Sequence, residues 1–292
     1  MSVRKFKRFA VIDWSGQNVA RPKGIAIAVA EQGDAAPVPV LPPDRRWSRS
    51  DVVDWIRGDA ASDMIIGLDL SPGLPFVDQN SFFPGWANSP PNAKALWRDV
   101  ETFSEDSRHL SANGFLDHAE AREHFLHQSY RGERYAPANG RLRKCEEQQG
   151  NMGLSPSSCF KLIGANQVGK SSLTGMRVLN RVNDLVPVWP FDPLVENGAL
   201  LVEIYTSIAA VAGGRPKNRT KMRTWEELDA ALIHPAIASR PTGQTGKVDD
   251  HTTDAILTAA WLRTAAHDPA LWNPVGLTPE IARTEGWTFG AR

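Results

Sequence analysis

The chain has 292 residues, with 33 Lys and Arg against 33 Asp and Glu and an apolar content of 41%. Normal apolar content excludes global disorder, and zero net charge excludes a polybasic coat, so any contact with nucleic acid must use local patches. Two cysteines, Cys145 and Cys159, are too few for a secreted disulfide framework or a four-thiolate metal site. The basic segment Met1 to Arg8 precedes too short an apolar stretch for a signal peptide. The longest apolar run, from Ile25, falls far below the roughly 18 residues of a spanning helix. A soluble, cytoplasmic protein with no membrane partner is expected.

Phe9-Ala-Val-Ile-Asp13 reads as a buried strand with Asp13 at its end, halted by Ser15-Gly16. Ile25 to Ala30 reads as a second strand, and the prolines around Val38 to Leu41 place a third at a sheet edge. Ser50-Asp51 marks the start of a helix carrying Val52, Val53 and Ile56, before a strand over Met64 to Leu70. Residues 76–158, rich in Pro, Asn, Ser and aromatics, read as an insertion or cap within a single domain of residues 1–292. Helical stretches are expected there near Ala93–Leu110 and Asp117–Ser129. A short strand Phe160–Ile163, a helix from about Ser171, a strand-like Val186–Trp189 and a strand from Leu200 follow. A helix from about Asp250 to Ala266 carries a stripe of small apolar residues. Two opening strands joined by a turn, then a helical crossover, indicate an α/β fold with a mixed sheet flanked by helices.

Asp13, Asp69 and Glu203 each sit in or just after an apolar strand, where an unpaired carboxylate is expensive. Asp250 and Asp254 lie one helical turn apart, and His251 neighbours Asp254 at i,i+3. Should the strands be adjacent and this helix cover their ends, the acids converge. Two carboxylates at about 4 Å repel by roughly 4 kcal/mol at an effective dielectric near 20. Such a cluster needs protons or cations, and all-oxygen ligands favour Mg²⁺ or Mn²⁺, two of which can cleave a phosphodiester. Taken singly, Asp13 and Asp69 also suit turns and Asp250 a helix start; Glu203, amid Leu200, Leu201, Val202 and Ile204, demands a partner.

Several segments carry a family resemblance: Val11-Ile-Asp-Trp-Ser-Gly16, Gly67-Leu-Asp-Leu-Ser-Pro-Gly-Leu-Pro75, Leu162-Ile-Gly-Ala-Asn-Gln-Val-Gly169 and Ser172-Leu-Thr-Gly-Met176. Val188-Trp-Pro-Phe-Asp-Pro193, Val202-Glu-Ile-Tyr205, Asp250-His-Thr-Thr-Asp-Ala255 and Gly286-Trp-Thr-Phe-Gly290 continue it. In these the chain resembles domain-of-unknown-function family 429, predicted nucleases assigned an RNase H-like fold related to RuvC-type resolvases. The resemblance implies a Mg²⁺-dependent site carried by Asp13, Asp69, Glu203 and Asp254, with nucleic acid as partner. Asp13 would bridge two ions; Asp69 and Glu203 would complete one sphere, and Asp254 with Asp250 or His251 the other. The family's helix motif often reads acid-x-x-acid, whereas His251 holds the position three before Asp254. Oligomeric state is left open, a homodimer included.

Gly164-Ala-Asn-Gln-Val-Gly-Lys-Ser171 matches the P-loop pattern, in which Lys170 would reach a terminal phosphate and Ser171 a Mg²⁺. Asp13-Trp-Ser-Gly16 resembles the first phosphate loop of actin-like sugar kinases. An ATP-using phosphotransferase is therefore the alternative to a nuclease. Arg215, Lys217, Arg219, Lys221 and Arg223 alternate downstream of Glu203, making Lys217 and Arg219 candidates to hold substrate phosphate. Arg131, Arg134, Arg141, Arg143 and Lys144 interleave with Tyr130 and Tyr135, a basic patch with aromatics for base stacking or a plain solvated loop. His124 and His127 have a spacing open to zinc but read better as a solvated helical face.

Overall fold

The computed structural model describes residues 4–127, 130–136, 140–163 and 168–292. Its strands are β1 (Arg8–Asp13), β2 (Ala26–Glu31), β3 (Val38–Val40), β4 (Met64–Leu68), β5 (Leu126–His127), β6 (Tyr130–Arg131), β7 (Val188–Trp189) and β8 (Leu200–Glu203). Six of them form one sheet in the order β3-β2-β1-β4-β8-β7. β2 runs antiparallel to both β1 and β3, while β1, β4, β8 and β7 are parallel neighbours. The proline-bearing β3 lies at the edge, where Pro39 breaks no interior ladder. β5 and β6 pair apart from this sheet.

The α-helices are α1 (Arg49–Gly58), α2 (Ala93–Phe103), α3 (Asn113–Asp117), α4 (Ala119–Arg122), α5 (Lys144–Asn151), α6 (Val168–Val182), α7 (Thr206–Ala212), α8 (Trp225–Leu232), α9 (Asp250–Ala265), α10 (Pro269–Trp272) and α11 (Pro279–Thr284). Ser48 rather than Ser50 caps α1: its hydroxyl accepts from the Asp51 amide and the Asp51 carboxylate accepts from its amide, a reciprocal capping box.

Side-chain alternation along the strands makes two cores. Ala10, Ile12, Ile66, Leu68 and Leu201 join one cluster with residues of α1, α2 and α6. Phe9, Val11, Ile65, Leu200 and Val202 join the other, with α7, α8 and α9. The sheet is thus covered on both faces, which is why its central strands read as continuous apolar runs rather than alternating ones.

Residues 76–158 differ in detail from expectation. Phe82, Phe83, Trp97, Phe115 and Phe125 are buried in the same cluster as Ile12 and Ile66, so this segment extends one of the two cores. The helix expected to reach Leu110 stops at Phe103, and the backbone turns left-handed at His109 (φ 58°) and Leu110 (φ 50°). Asp117–Ser129 is the end of α3, then α4 and β5, with residues 128–129 outside the described ones. Phe160–Ile163 adds no strand to the main sheet; Lys161 forms only an isolated bridge with Leu126. Among the described residues no helix is long and apolar enough to cross a membrane.

Candidate acidic site

Asp13 and Asp69 meet because β1 and β4 are parallel neighbours with Ile12 opposite Leu68, and the Asp69 amide donates to the Ile12 carbonyl at 3.0 Å. Alternation puts Asp13 on the face of Phe9 and Val11, the face against which α9 packs. Asp249 caps α9 by accepting from the Thr252 amide, which fixes the helix start so that His251 and Asp254 point toward the strand ends. His251 Nδ1 lies 2.6 Å from Asp13 Oδ2. The Asp69 carboxyl lies close enough to that of Asp13 for the two to act on each other. Lys221 donates its ammonium to Asp254 Oδ2. Of the two helix residues left open by the sequence, His251 makes the contact to Asp13, while Asp250 acts on His251 and Asp254 through its charge.

The electrostatics follow from burial. Asp13 and Asp254 are only 3% and 4% exposed. Burial, then the charge and closeness of Asp13, push the Asp69 carboxyl well above the usual range. Burial also raises Asp254 to about 7, with Lys221 opposing the shift and Asp13 and Asp250 adding to it. For Lys221, burial works against its charge but is outweighed by Asp254, Asp13 and Asp69, so its ammonium is held above the ordinary lysine value. His251 is raised, first by its hydrogen bond to Asp13.

These shifts set the sign of a pH dependence. Between about pH 4 and pH 7 the folded state keeps protons on Asp69 and Asp254 that an unfolded chain has lost, so stability falls as pH rises. The His251 contribution, full below its ordinary value near 6.5, is lost at still higher pH. Acids lowered by partners, such as Asp51 and Glu101, have gained their stability by about pH 5. Glu146 and Asp99, raised by burial, add to the trend, and His124, held down to about 4, opposes it up to about pH 6.5. The share of the site is therefore the difference between wild type and a variant of the cluster. In chelator, wild type should therefore lose melting temperature relative to Asp69→Asn as pH rises from about 5 to 8. A slope identical in the variant would show that the carboxyls are not coupled.

Glu203 departs from expectation. Register pairs Leu68 with Glu203 and Gly67 with Val202, so Glu203 projects from the face of Ile12 and Leu68, opposite that of Asp13. There Arg143 donates to both its oxygens, at 2.5 and 2.8 Å, and the Thr288 hydroxyl donates to Oε1 at 2.7 Å. Arg143 also donates through Nε to Glu146 Oε1 at 2.9 Å. Glu203 is thus the acceptor of a buried ion pair and not a member of the acidic cluster. The partner that its apolar strand demanded is an arginine.

The basic candidates are redistributed as well. Lys217 is exposed and donates to the Met152 carbonyl, and Arg219 is exposed; neither lines the cavity beside the acids. Lys221, two residues on, is the member of that run that reaches the cluster. Arg141 is buried against Asp78 and the carbonyls of Pro75, Ser81 and Phe82, and Arg143 against Glu203, so these two members of the second basic cluster are structural, while Arg131 and Arg134 are exposed. Tyr135 is buried, and the Tyr130 hydroxyl donates to Glu123. His124 is no solvated helical residue: it is 3% exposed and packs on Phe83 with centroids 5.3 Å apart. Burial holds its imidazole down to about 4.

A cavity of about 570 Å³ is lined by Asp69 and His251 of the cluster, though not by Asp13 or Asp254. Lys23, Lys170 and Ser171 are also among its lining residues, and so are Arg143 and Glu203. Neither Lys23 nor Lys170 has an ion-pair partner among the described residues. Lys170 and Ser171 belong to the first turn of α6 together with Gly169; Gly164 lies outside the described residues. Also among the described residues, no three His, Cys, Asp or Glu side chains already enclose a metal position. The six-ligand nest expected from the sequence is therefore not preassembled, since Glu203 faces Arg143 and Lys221 sits on Asp254. No family model, curated protein or solved structure matches this chain.

Proposed function

We propose that this chain is a nuclease that hydrolyses nucleic-acid phosphodiesters with Mg²⁺ or Mn²⁺ at Asp13, Asp69 and Asp254. The observation that carries the reading is the placing of Asp13 and Asp69 at adjacent parallel strand ends, with Asp69 and His251 lining a cavity beside Lys23 and Lys170, neither of them ion-paired among the described residues. Two carboxyls are held together only where a proton or a cation lies between them, and three oxygen donors suit a hard divalent ion. The two ions expected from the sequence narrow to a set built on these three carboxylates, because Glu203 is engaged by Arg143. When bound, such an ion would polarise the phosphate and acidify an attacking water.

The remaining work falls to the chain's own side chains. Asp13 fixes the His251 ring through Nδ1, which leaves Nε2 to carry a proton to or from a substrate oxygen. Lys221 compensates Asp254 and so limits repulsion within the cluster. Lys23 and Lys170 supply positive charge where phosphate oxygens would lie. The strand order, with an antiparallel β2 beside a parallel β1-β4-β8-β7 set, supports an RNase H-like reading and, with it, the resemblance to family 429. The ATP-using alternative gains from Lys170 and Ser171 lining the cavity, but a P-loop needs a core strand leading into it, and Phe160–Ile163 is none.

A melting experiment with Mn²⁺, Mg²⁺ or ATP, followed by a panel of DNA and RNA substrates, tests this. Mn²⁺ at about 100 times its Kd should add about 2.7 kcal/mol of stability, or roughly 5–10 °C, and Asp69→Asn should remove the gain. ATP stabilisation lost in Lys170→Ala, without ion-dependent cleavage of any substrate, would replace the nuclease by the phosphotransferase.

A further inference from the structure

A second cavity, of about 460 Å³, lies against the first, and Gly16 and Lys170 line both. The boundary is a thin one. A Cβ on Gly16 would stand 2.5 Å from the Lys170 carbonyl carbon and the Ser171 amide nitrogen, so only glycine lets the loop after β1 lie on the first turn of α6. That loop is held rigidly: Arg49, itself buried, donates to the Ser15 and Gln17 carbonyls at 2.7 Å each, and Trp14 Nε1 donates to Thr174 Oγ1 at 3.1 Å. The partition between the chambers is thus fixed backbone bearing the Lys170 ammonium, which has no ion-pair partner among the described residues.

The second chamber has a mixed lining. Leu116, Phe125 and Leu162 give it apolar surface, while Asn18, Asn113 and His127 add hydrogen-bonding groups. Tyr130 stands at its wall with the Arg122 guanidinium 4.5 Å above its ring centroid, a flat cationic-aromatic surface. Flat apolar area with a few polar edges is what an unstacked nucleobase requires. The volume falls within the range of about 300–1,000 Å³ that small-molecule sites occupy.

We infer that the second chamber receives a nucleobase next to the scissile phosphate, with Lys170 on the linking backbone, so that the substrate is nucleic acid with an unpaired segment. This rests on the nuclease reading of the first cavity. A base inside a duplex is stacked on both faces and reaches such a recess only after extrusion, whereas a single strand offers it freely. Single-stranded substrate should therefore be preferred over blunt duplex of the same sequence.

The test fills the chamber from exposed positions on α3, with Asn113→Trp and, as an independent second variant, Asp117→Trp. Mn²⁺-dependent cleavage is measured on a labelled single-stranded oligonucleotide, on its blunt duplex and on bis(4-nitrophenyl) phosphate, which needs only the first cavity. The expected result is a loss of about tenfold or more on the single strand in both variants, in line with the stacking of one base, with the small diester unaffected. Equal cleavage of duplex and single strand by wild type, or full single-strand activity in both folded variants, overturns the inference and leaves the nuclease reading standing. Absence of ion-dependent cleavage of all three substrates by wild type overturns both.

Discussion

Asp13→Asn is expected to abolish ion-dependent cleavage and, in the same protein, to raise the melting temperature in chelator. The two effects share one cause. Asp13 touches His251 and raises the protonation of Asp69 and Asp254, so it is the charge on which the whole cluster is centred. Removing that charge relieves repulsion among buried carboxyls, and an amide can still accept from the His251 ring. The same removal takes a central oxygen donor from any bound ion and releases the imidazole from its ionic partner. Losing a group that merely supports a metal ligand costs about 10–100-fold, so losing a ligand should cost more than about 100-fold. Circular dichroism and a melt would establish that the variant is folded. Activity within a few-fold of wild type would dismiss Asp13 as a catalytic residue. A lost activity with a lowered melting temperature would make its role structural.

The acidic strand ends were legible in the sequence because the physical signal is local. An apolar run that stops at a carboxylate, as at Asp13 and Leu68-Asp69, marks a strand end, and Asp250-His-Thr-Thr-Asp254 marks one helix face. What was not legible is which face of the sheet each acid uses. Leu200-Leu-Val-Glu-Ile204 is apolar on both sides of its acid, so its pattern has no alternation to show that Glu203 and Ile204 point opposite ways. That is decided by the pairing of Leu68 with Glu203, a long-range register. The roles of the basic residues were hidden for the same reason. Lys217, Arg219 and Lys221 look alike along the chain, yet of the three it is Lys221 that reaches the acidic cluster. Arg143 sits in a segment without periodicity, and nothing near it in sequence points to a glutamate 60 residues away. The helix expected to reach Leu110 likewise stops at Phe103 without a glycine or proline to announce it.

The Arg143 network yields the sharpest stability prediction and separates it from catalysis. Arg143 is fully buried and binds Glu203, Glu146 and the Glu285 carbonyl, while the Glu285 carboxylate accepts from the amides of Phe76, Val77 and Lys144. One guanidinium thus ties the segment after residue 76 to β8 and to the C-terminal region. Arg143→Met would strand two buried glutamates, and breaking a buried pair from one side costs about 3–5 kcal/mol. For a chain of this size the melting temperature should drop by roughly 10 °C. Burial already pushes Glu146 above the ordinary glutamate value, although Arg143 opposes the shift, so in the variant Glu146 should take up a proton and the loss should shrink at low pH. Glu203→Gln is the complementary change: its carbonyl oxygen can still accept from Arg143 or Thr288, so the loss should be nearer 1–2 kcal/mol. Glu203 lines the same cavity as Asp69, but Arg143 occupies both its oxygens, so that variant should keep ion-dependent cleavage within about threefold of wild type, whereas losing a metal ligand would cost far more. Loss of cleavage in a Glu203→Gln protein that melts like wild type would return Glu203 to the metal site.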